Sequence, residues 1–271
     1  MTEQDIIPVP HSIVPSDRRK IEHKTVQLMA TCLCDTFYDD VAQATVQVLE
    51  HLECTVTFPR DQTCCGQPAF NTGDWEVARN IVRNMMMAFD GKSLIVVPSG
   101  SCTAMILHGL PMAFADQPDH DKALSLTRQT WELADFIVNG LNVDHWPGRF
   151  EGRLALHRSC HCRGTASADA AHRLLSSIEG VEVLELGEPE QCCGFGGVFS
   201  IGFPVVSREI GQVKLDHITA IEADYLVSPD MGCLLHLGGL LDRTPTSPKR
   251  KHVAQVLRDA LGLSGADGVV Q

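Results

Sequence analysis

With 271 residues, 44% hydrophobic and 21% charged, the chain falls among ordinary globular proteins large enough for one large α/β domain or two of about 130 residues. A net charge of −12 repels phosphate backbones, so nucleic acid is excluded as an expected partner. No window approaches the roughly 20 apolar residues of a membrane span, and the opening stretch to Lys24 lacks the apolar core of a secretion signal, so a cytoplasmic protein without an integral membrane segment is expected.

After an N-terminal extension, 1–24, the run from Val26 to Ala30 predicts a buried parallel strand ending just before Cys32. Helical spacing follows at Val41, Thr45, Val48, Leu49 and Leu52, then a strand from Cys54 to Phe58 runs toward Cys64-Cys-Gly66. A second helix carries Val77, Ile81, Met85 and Phe89, and a third strand, Leu94 to Pro98, leads to Cys102. The stretch 141–152, with Trp146-Pro-Gly148, reads as a linker between a first domain at 25–140 and a second at 153–271. The series then recurs. A strand from Leu154 to His157 precedes Cys160, a helix carries Val206, Ile210, Val213, His217 and Ile221, and a strand from Tyr225 to Pro229 precedes Cys233. Each half is a βαβαβ unit, and the expected fold class is α/β, two tandem repeated units with mostly parallel sheets.

Eleven cysteines in a reducing compartment point to metal binding or redox work rather than disulfides. Cys32, Cys64, Cys65 and Gly66 superpose on Cys160, Cys192, Cys193 and Gly194 at an offset of 128 without a gap, and Cys102 maps onto Cys233 at an offset of 131. In parallel sheets ligands gather at the carboxyl ends of the strands, where all eight of these residues fall, so each repeat is expected to converge its four thiols. Four soft sulfurs suit an iron–sulfur cluster or zinc, and the spacing alone does not choose between them. Cys34 and Cys162 are also repeat mates and are the additional ligand candidates. Cys54 has no mate and reads as core. His108, His157, His161 and His236 lie near the cysteine rim, with His157 and His161 bracketing Cys160.

The pattern of Cys, 31 residues, Cys-Cys-Gly, then 36 or 39 residues and a last Cys resembles the cysteine-rich CCG-domain family. That family includes the B subunit of heterodisulfide reductase and the iron–sulfur subunits of glycolate oxidase and anaerobic glycerol-3-phosphate dehydrogenase. The match is fullest to its lactate-utilization members, through Thr31-Cys-Leu33, Thr63-Cys-Cys-Gly-Gln-Pro68, Pro98-Ser-Gly-Ser-Cys102, Asp135-Phe-Ile-Val-Asn139 and Cys192-Cys-Gly-Phe-Gly-Gly197. The resemblance implies one iron–sulfur cluster per repeat, expected as [4Fe–4S], and an electron-transfer subunit of an L-lactate oxidation system producing pyruvate. It implies companion subunits, a ferredoxin-type iron–sulfur protein and a third protein, because this chain carries neither a ferredoxin cysteine run nor a flavin fingerprint. The fuller family motif closes with Cys-x-x-Cys, whereas here Ser99 and Asp230 stand in place of the first cysteine of each pair. The rival expectations are a thiol–disulfide redox protein of the heterodisulfide reductase kind and a binding module with zinc at one or both sites.

Overall fold

The structure, a computed structural model, describes residues 21, 24–89, 91–242 and 248–263. Of the expected N-terminal extension only Ile21 and Lys24 fall within the described residues. The first half runs β1 (Thr25–Leu28), α1 (Cys32–Phe37), α2 (Asp39–His51), β2 (Thr55–Thr57), α3 (Gln67–Asn71), α4 (Trp75–Ala88), β3 (Leu94–Val97), α5 (Gly100–Ala104), α6 (Leu110–Ala113), α7 (His120–Gln129), β4 (Thr130–Glu132) and α8 (Leu133–Asp135). The second runs β5 (Arg149–Leu156), α9 (Ser167–Ser176), β6 (Glu179–Leu184), α10 (Val198–Gly202), α11 (Pro204–Thr219), β7 (Tyr225–Ser228), α12 (Met231–Leu241), β8 (Lys249–His252) and α13 (Val253–Ala260).

Each half builds one all-parallel four-stranded sheet, in the order β2-β1-β3-β4 and β6-β5-β7-β8. The expected three strands per repeat are present, and a fourth joins each sheet. Neither fourth strand announces itself in the sequence. Thr130-Trp-Glu132 is buried, but its glutamate serves as a cap, accepting from the amides of Ala134 at 2.9 Å and Asp135 at 3.2 Å. Lys249-Arg-Lys-His252 is a charged strand at the edge of its sheet, where outward lysine and arginine are tolerated.

Helix faces differ from the apolar spacing. In α4 the core takes Ala78, Val82 and Met85 while Val77 is exposed, and in α11 it takes Ser207, Gly211, Lys214, Leu215 and Ile218 while Val206 and Val213 face outward. The reason lies in the turn that each helix covers. A Cβ placed on Gly194 would stand 2.3 Å from Ser207 O and 3.0 Å from Gly211 N, so the inward face of α11 must be small for the turn to reach it.

The expected linker is shorter than 141–152, since β5 already begins at Arg149. Trp146, placed in that linker by the sequence, is fully buried and donates from Nε1 to Leu257 O at 2.9 Å. Around it one apolar cluster runs through both halves, from Val48 and Leu49 on α2 to Leu174 and Leu175 on α9 and Val253 and Leu257 on α13. The last helix of each half lies on the first long helix of the other, α13 on α2 and α8 on α9. On the α13 side the contact is polar at its rim, where Gln255 Nε2 donates to Asp40 Oδ2 at 2.7 Å and Arg258 pairs with the same carboxylate.

Candidate metal centre

The cysteines stand where strands stop and backbone geometry turns sharply. Thr31, at the exit of β1, has φ 69°, an uncommon conformation for a β-branched residue, and it sets Cys32 at the start of α1. Gly66 and Gly194, at φ 83° and 88°, close the two Cys-Cys-Gly turns. Cys102 and Cys233 sit in the first turns of α5 and α12, whose caps are Ser99 and Asp230.

The two residues that replace the closing cysteines therefore have structural work. Ser99 Oγ accepts from Cys102 N at 3.3 Å, and Asp230 Oδ1 accepts from Cys233 N at 3.3 Å. They also join the halves. Ser99 Oγ donates to Asp230 Oδ2 at 3.2 Å, Ser101 N donates to the same oxygen at 2.7 Å, and Gly100 N donates to Pro229 O at 3.1 Å.

The four thiols of each half come together. In the second, Cys160 and Cys192 sulfurs are 3.9 Å apart and Cys193 and Cys233 sulfurs 3.2 Å apart. The first half pairs Cys32 with Cys64 and Cys65 with Cys102 in the same way. Hydrogen bonds from Cys32 and then Cys65 hold the Cys64 thiol down to about 3 against the opposing effect of burial, with the Gly66 amide helping. Bonds from Cys160 and then Cys193, with the Gly194 amide at 3.3 Å from sulfur, bring Cys192 to about 2. Each half thus holds one thiol shifted toward the thiolate, the form that binds metal. None of the eight is in a disulfide.

Both sets line a single cavity of about 180 Å³. This was not legible from the repeat, which implied two centres without saying that they face each other. Cys34 and Cys162 do not line it. They are buried where the halves meet: Cys34 packs in a cluster with Met231 and Cys233 of the second half, and Cys162 Sγ would lie 2.5 Å from a Cβ on Gly100 of the first. Burial pushes the Cys34 thiol up to about 11 and Cys162 upward as well, so both favour the protonated form. Cys54 is in the apolar core shared by the halves.

Among the histidines, His161 lines the cavity with Nδ1 3.6 Å from Cys160 Sγ, while His108 and His236 do not line it. His157 is fully buried, and neither ring nitrogen has a hydrogen-bond partner. One of its nitrogens and the sulfurs of Cys193 and Cys233 all lie within 4.8 Å of one another. The donor set fits a thiophilic metal centre: eight free thiols in two converging groups and an orphaned imidazole aimed at one of them.

His252 caps α13, with Nδ1 accepting from Ala254 N at 3.1 Å, and its buried Nε2 has no hydrogen-bond partner among the described residues, though the backbone of Pro229 and Pro98 favours its protonation. Burial lowers it from 6.5 to about 4, against that effect. Between these values the unfolded chain binds a proton that the folded chain refuses, so stability falls as pH drops through this window and is fully present above it. The contribution is on the order of 3 kcal/mol by the usual 1.36 kcal/mol per unit. Urea midpoints measured across this range should flatten by about one proton in His252→Asn, which keeps a capping acceptor. The slope that remains belongs to His157, also lowered to about 4 by burial. An unchanged slope in the variant would assign the pH dependence elsewhere.

The cysteine-rich domain model matches residues 26–107 and 154–238, one copy over each four-cysteine set. The chain belongs to the cysteine-rich CCG-domain family. Curated relatives bearing the name lactate utilization protein A include those of Geobacillus kaustophilus, 43% identical over 86% of this chain and 98% of the relative, and Geobacillus thermodenitrificans, 41% identical over the same shares. A lactate utilization protein A 2 of Bacillus cereus is 39% identical over 88% of this chain and 99% of its own. Among solved structures, a hypothetical protein from Helicobacter pylori superposes with a TM-score of 0.60 at 13% identity, covering 88% of this chain and 49% of its own. This chain spans about half of that structure, and the likeness shows the fold alone.

Proposed function

We propose that this chain is an iron–sulfur electron carrier in the oxidation of L-lactate to pyruvate. Cys32, Cys64, Cys65 and Cys102 hold one cluster and Cys160, Cys192, Cys193 and Cys233 the other, each expected as [4Fe–4S]. The observation that carries this reading is the convergence of two complete sets of four free thiols on one cavity. The names of the relatives supply the metabolic setting. When bound, the clusters supply reversible one-electron storage. The chain supplies the thiolates, buries Cys65, Cys193 and Cys233 away from water, and ties the two sites through Ser99 and Asp230. Electrons enter and leave through companion subunits of a cytoplasmic lactate-utilization system, a ferredoxin-type iron–sulfur protein and a third protein.

Anaerobic purification with metal analysis tests this directly. The expected protein is brown and oxygen-sensitive, with iron and labile sulfide at about four each per site. A colourless protein saturated with zinc would overturn it. A mixed reading, iron in the first half and zinc in the second, draws support from the compact group of His157, Cys193 and Cys233 and would register as one equivalent of zinc beside a single cluster.

Four cysteines suffice per cluster in this reading, because Cys34 and Cys162 lie outside the cavity. The double variant Cys34→Ala, Cys162→Ala should keep nearly all its iron and an unchanged paramagnetic spectrum, whereas Cys32→Ala or Cys160→Ala should lose a site. A loss of half the iron in the double variant would make these two residues ligands.

A further inference from the structure

The two cysteine sets match, but the residues behind them do not. Met29 and His157 hold the same place in the repeat: the Met29 amide donates to Val96 O at 3.0 Å and the His157 amide to Val227 O at 2.8 Å, on equivalent strands β3 and β7. Along the second long helix, Gly66 faces Ala78 in the first half and Gly194 faces Ser207 in the second, an alignment that pairs Met85 with Lys214. Met29 and Met85 are fully buried in one apolar cluster with Cys65. Their counterparts are a buried imidazole and a buried ammonium.

Lys214 has no exposed surface. Its Nζ donates to Glu188 O at 2.6 Å and Pro189 O at 3.3 Å, carbonyls of the loop that leads into Cys192. Among the described residues no carboxylate lies within ion-pair distance of it. A buried ammonium held by dipoles alone is costly, and the cost is relieved only by a nearby anion. Burial lowers Lys214 to about 8, and Cys193 and Cys233, ahead of Glu188, act against that lowering. By the repeat alignment it stands behind Cys193 as Met85 stands behind Cys65.

We propose that Lys214 supplies the second-half site with a buried positive charge that the first-half site lacks, which offsets the Asp230 carboxylate at Cys233 N and makes a centre held there easier to reduce than it would be without the lysine. The inference rests on the electron-carrier reading. A fixed cation stabilises the reduced state more than the oxidised one, and burial keeps water from screening it. Methionine at the matching place in the first half offers no such stabilisation. Lys214 acts through the thiolates, as a positioning residue.

The test is a redox titration of the reconstituted full-length protein followed by paramagnetic resonance, with waves assigned by their loss in Cys64→Ser or Cys192→Ser. Lys214→Met copies the first half, where the fold already accepts methionine, and Lys214→Gln removes the charge while keeping a donor for the two carbonyls. Both should disfavour reduction of the second-half centre by about tenfold, about 59 mV for a one-electron couple, and leave the first-half wave in place. A second-half wave that stays put in both variants overturns the proposal. A second readout needs no cluster: Co²⁺ alone, added to metal-free protein and followed by thiolate-to-cobalt absorbance. Its affinity for the second-half site should fall about tenfold in both variants, since a four-thiolate complex is an anion. If the wild-type protein takes up no iron, the electron-carrier reading fails, and equal Co²⁺ affinities in wild type and Lys214→Met would then overturn the charge asymmetry separately.

Discussion

Cys192→Ser is expected to leave about half of the iron and labile sulfide, with the paramagnetic signal of one centre intact, and Cys64→Ser is expected to remove the complementary half. The expectation follows from how the sulfurs group. Cys192 touches only thiols of its own repeat, Cys160 and Cys193, as Cys64 touches only Cys32 and Cys65. These two residues are also the thiols held furthest toward the thiolate, at about 2 and about 3. Serine keeps the size but is a hard, weakly acidic oxygen, so the site loses its anchoring anion. The shared cavity makes the experiment sharper, because two centres that face one space could have been a single joint site. If either substitution bleached both signals, ligands would have to cross between the halves. Iron and sulfide assays together with the low-temperature spectrum decide.

The eight cysteines were legible because two copies of one pattern lie in one chain, and a duplicated Cys-Cys-Gly with matched flanks carries its own internal control. The strands at the cysteine rim were legible for a related reason: buried parallel strands read as apolar runs, and Leu94-Ile-Val-Val97 is one. The fourth strands were hidden, since Thr130-Trp-Glu132 spends a carboxylate on a helix cap and Lys249-Arg-Lys-His252 is an edge. Helix orientation misled for a physical reason. Apolar spacing marks the buried face only when large side chains fill the core, and α11 instead presents Ser207 and Gly211 to a backbone turn while Val206 and Val213 look outward. The places of Cys34 and Cys162 depended on how the halves dock, which no local pattern encodes. Lys214 carried a faint signal, a lysine aligned with Met85, visible only once the repeat is extended from cysteines to the helices behind them.

The glycines of the two Cys-Cys-Gly turns should respond unequally to alanine. Both have a positive φ, 83° at Gly66 and 88° at Gly194, where a Cβ costs roughly 1–2 kcal/mol on backbone grounds alone. The surroundings then separate them. At Gly66 the nearest atom to a new Cβ is Ala78 O at 3.2 Å, a contact relieved by a few tenths of an ångström of movement. At Gly194 the Cβ would meet Ser207 O at 2.3 Å, with Gly211 N at 3.0 Å and Ile210 Cβ at 3.2 Å, so neither the turn nor α11 has room. Ser207 is also tied to this turn, its Oγ donating to Gly194 O at 2.8 Å, and that bond is lost if the strands of chain part. Gly194→Ala should therefore cost about 3 kcal/mol or more, strain and overpacking together, and displace Cys192 and Cys193 from Cys160 and Cys233. Gly66→Ala should cost about half as much and keep its thiols in place. In calorimetry the expected order of midpoints is wild type, then Gly66→Ala, then Gly194→Ala, and in the iron assay only Gly194→Ala should lose a centre. Equal losses from the two variants would mean that the close approach of α11 to its turn is not what shapes the second site.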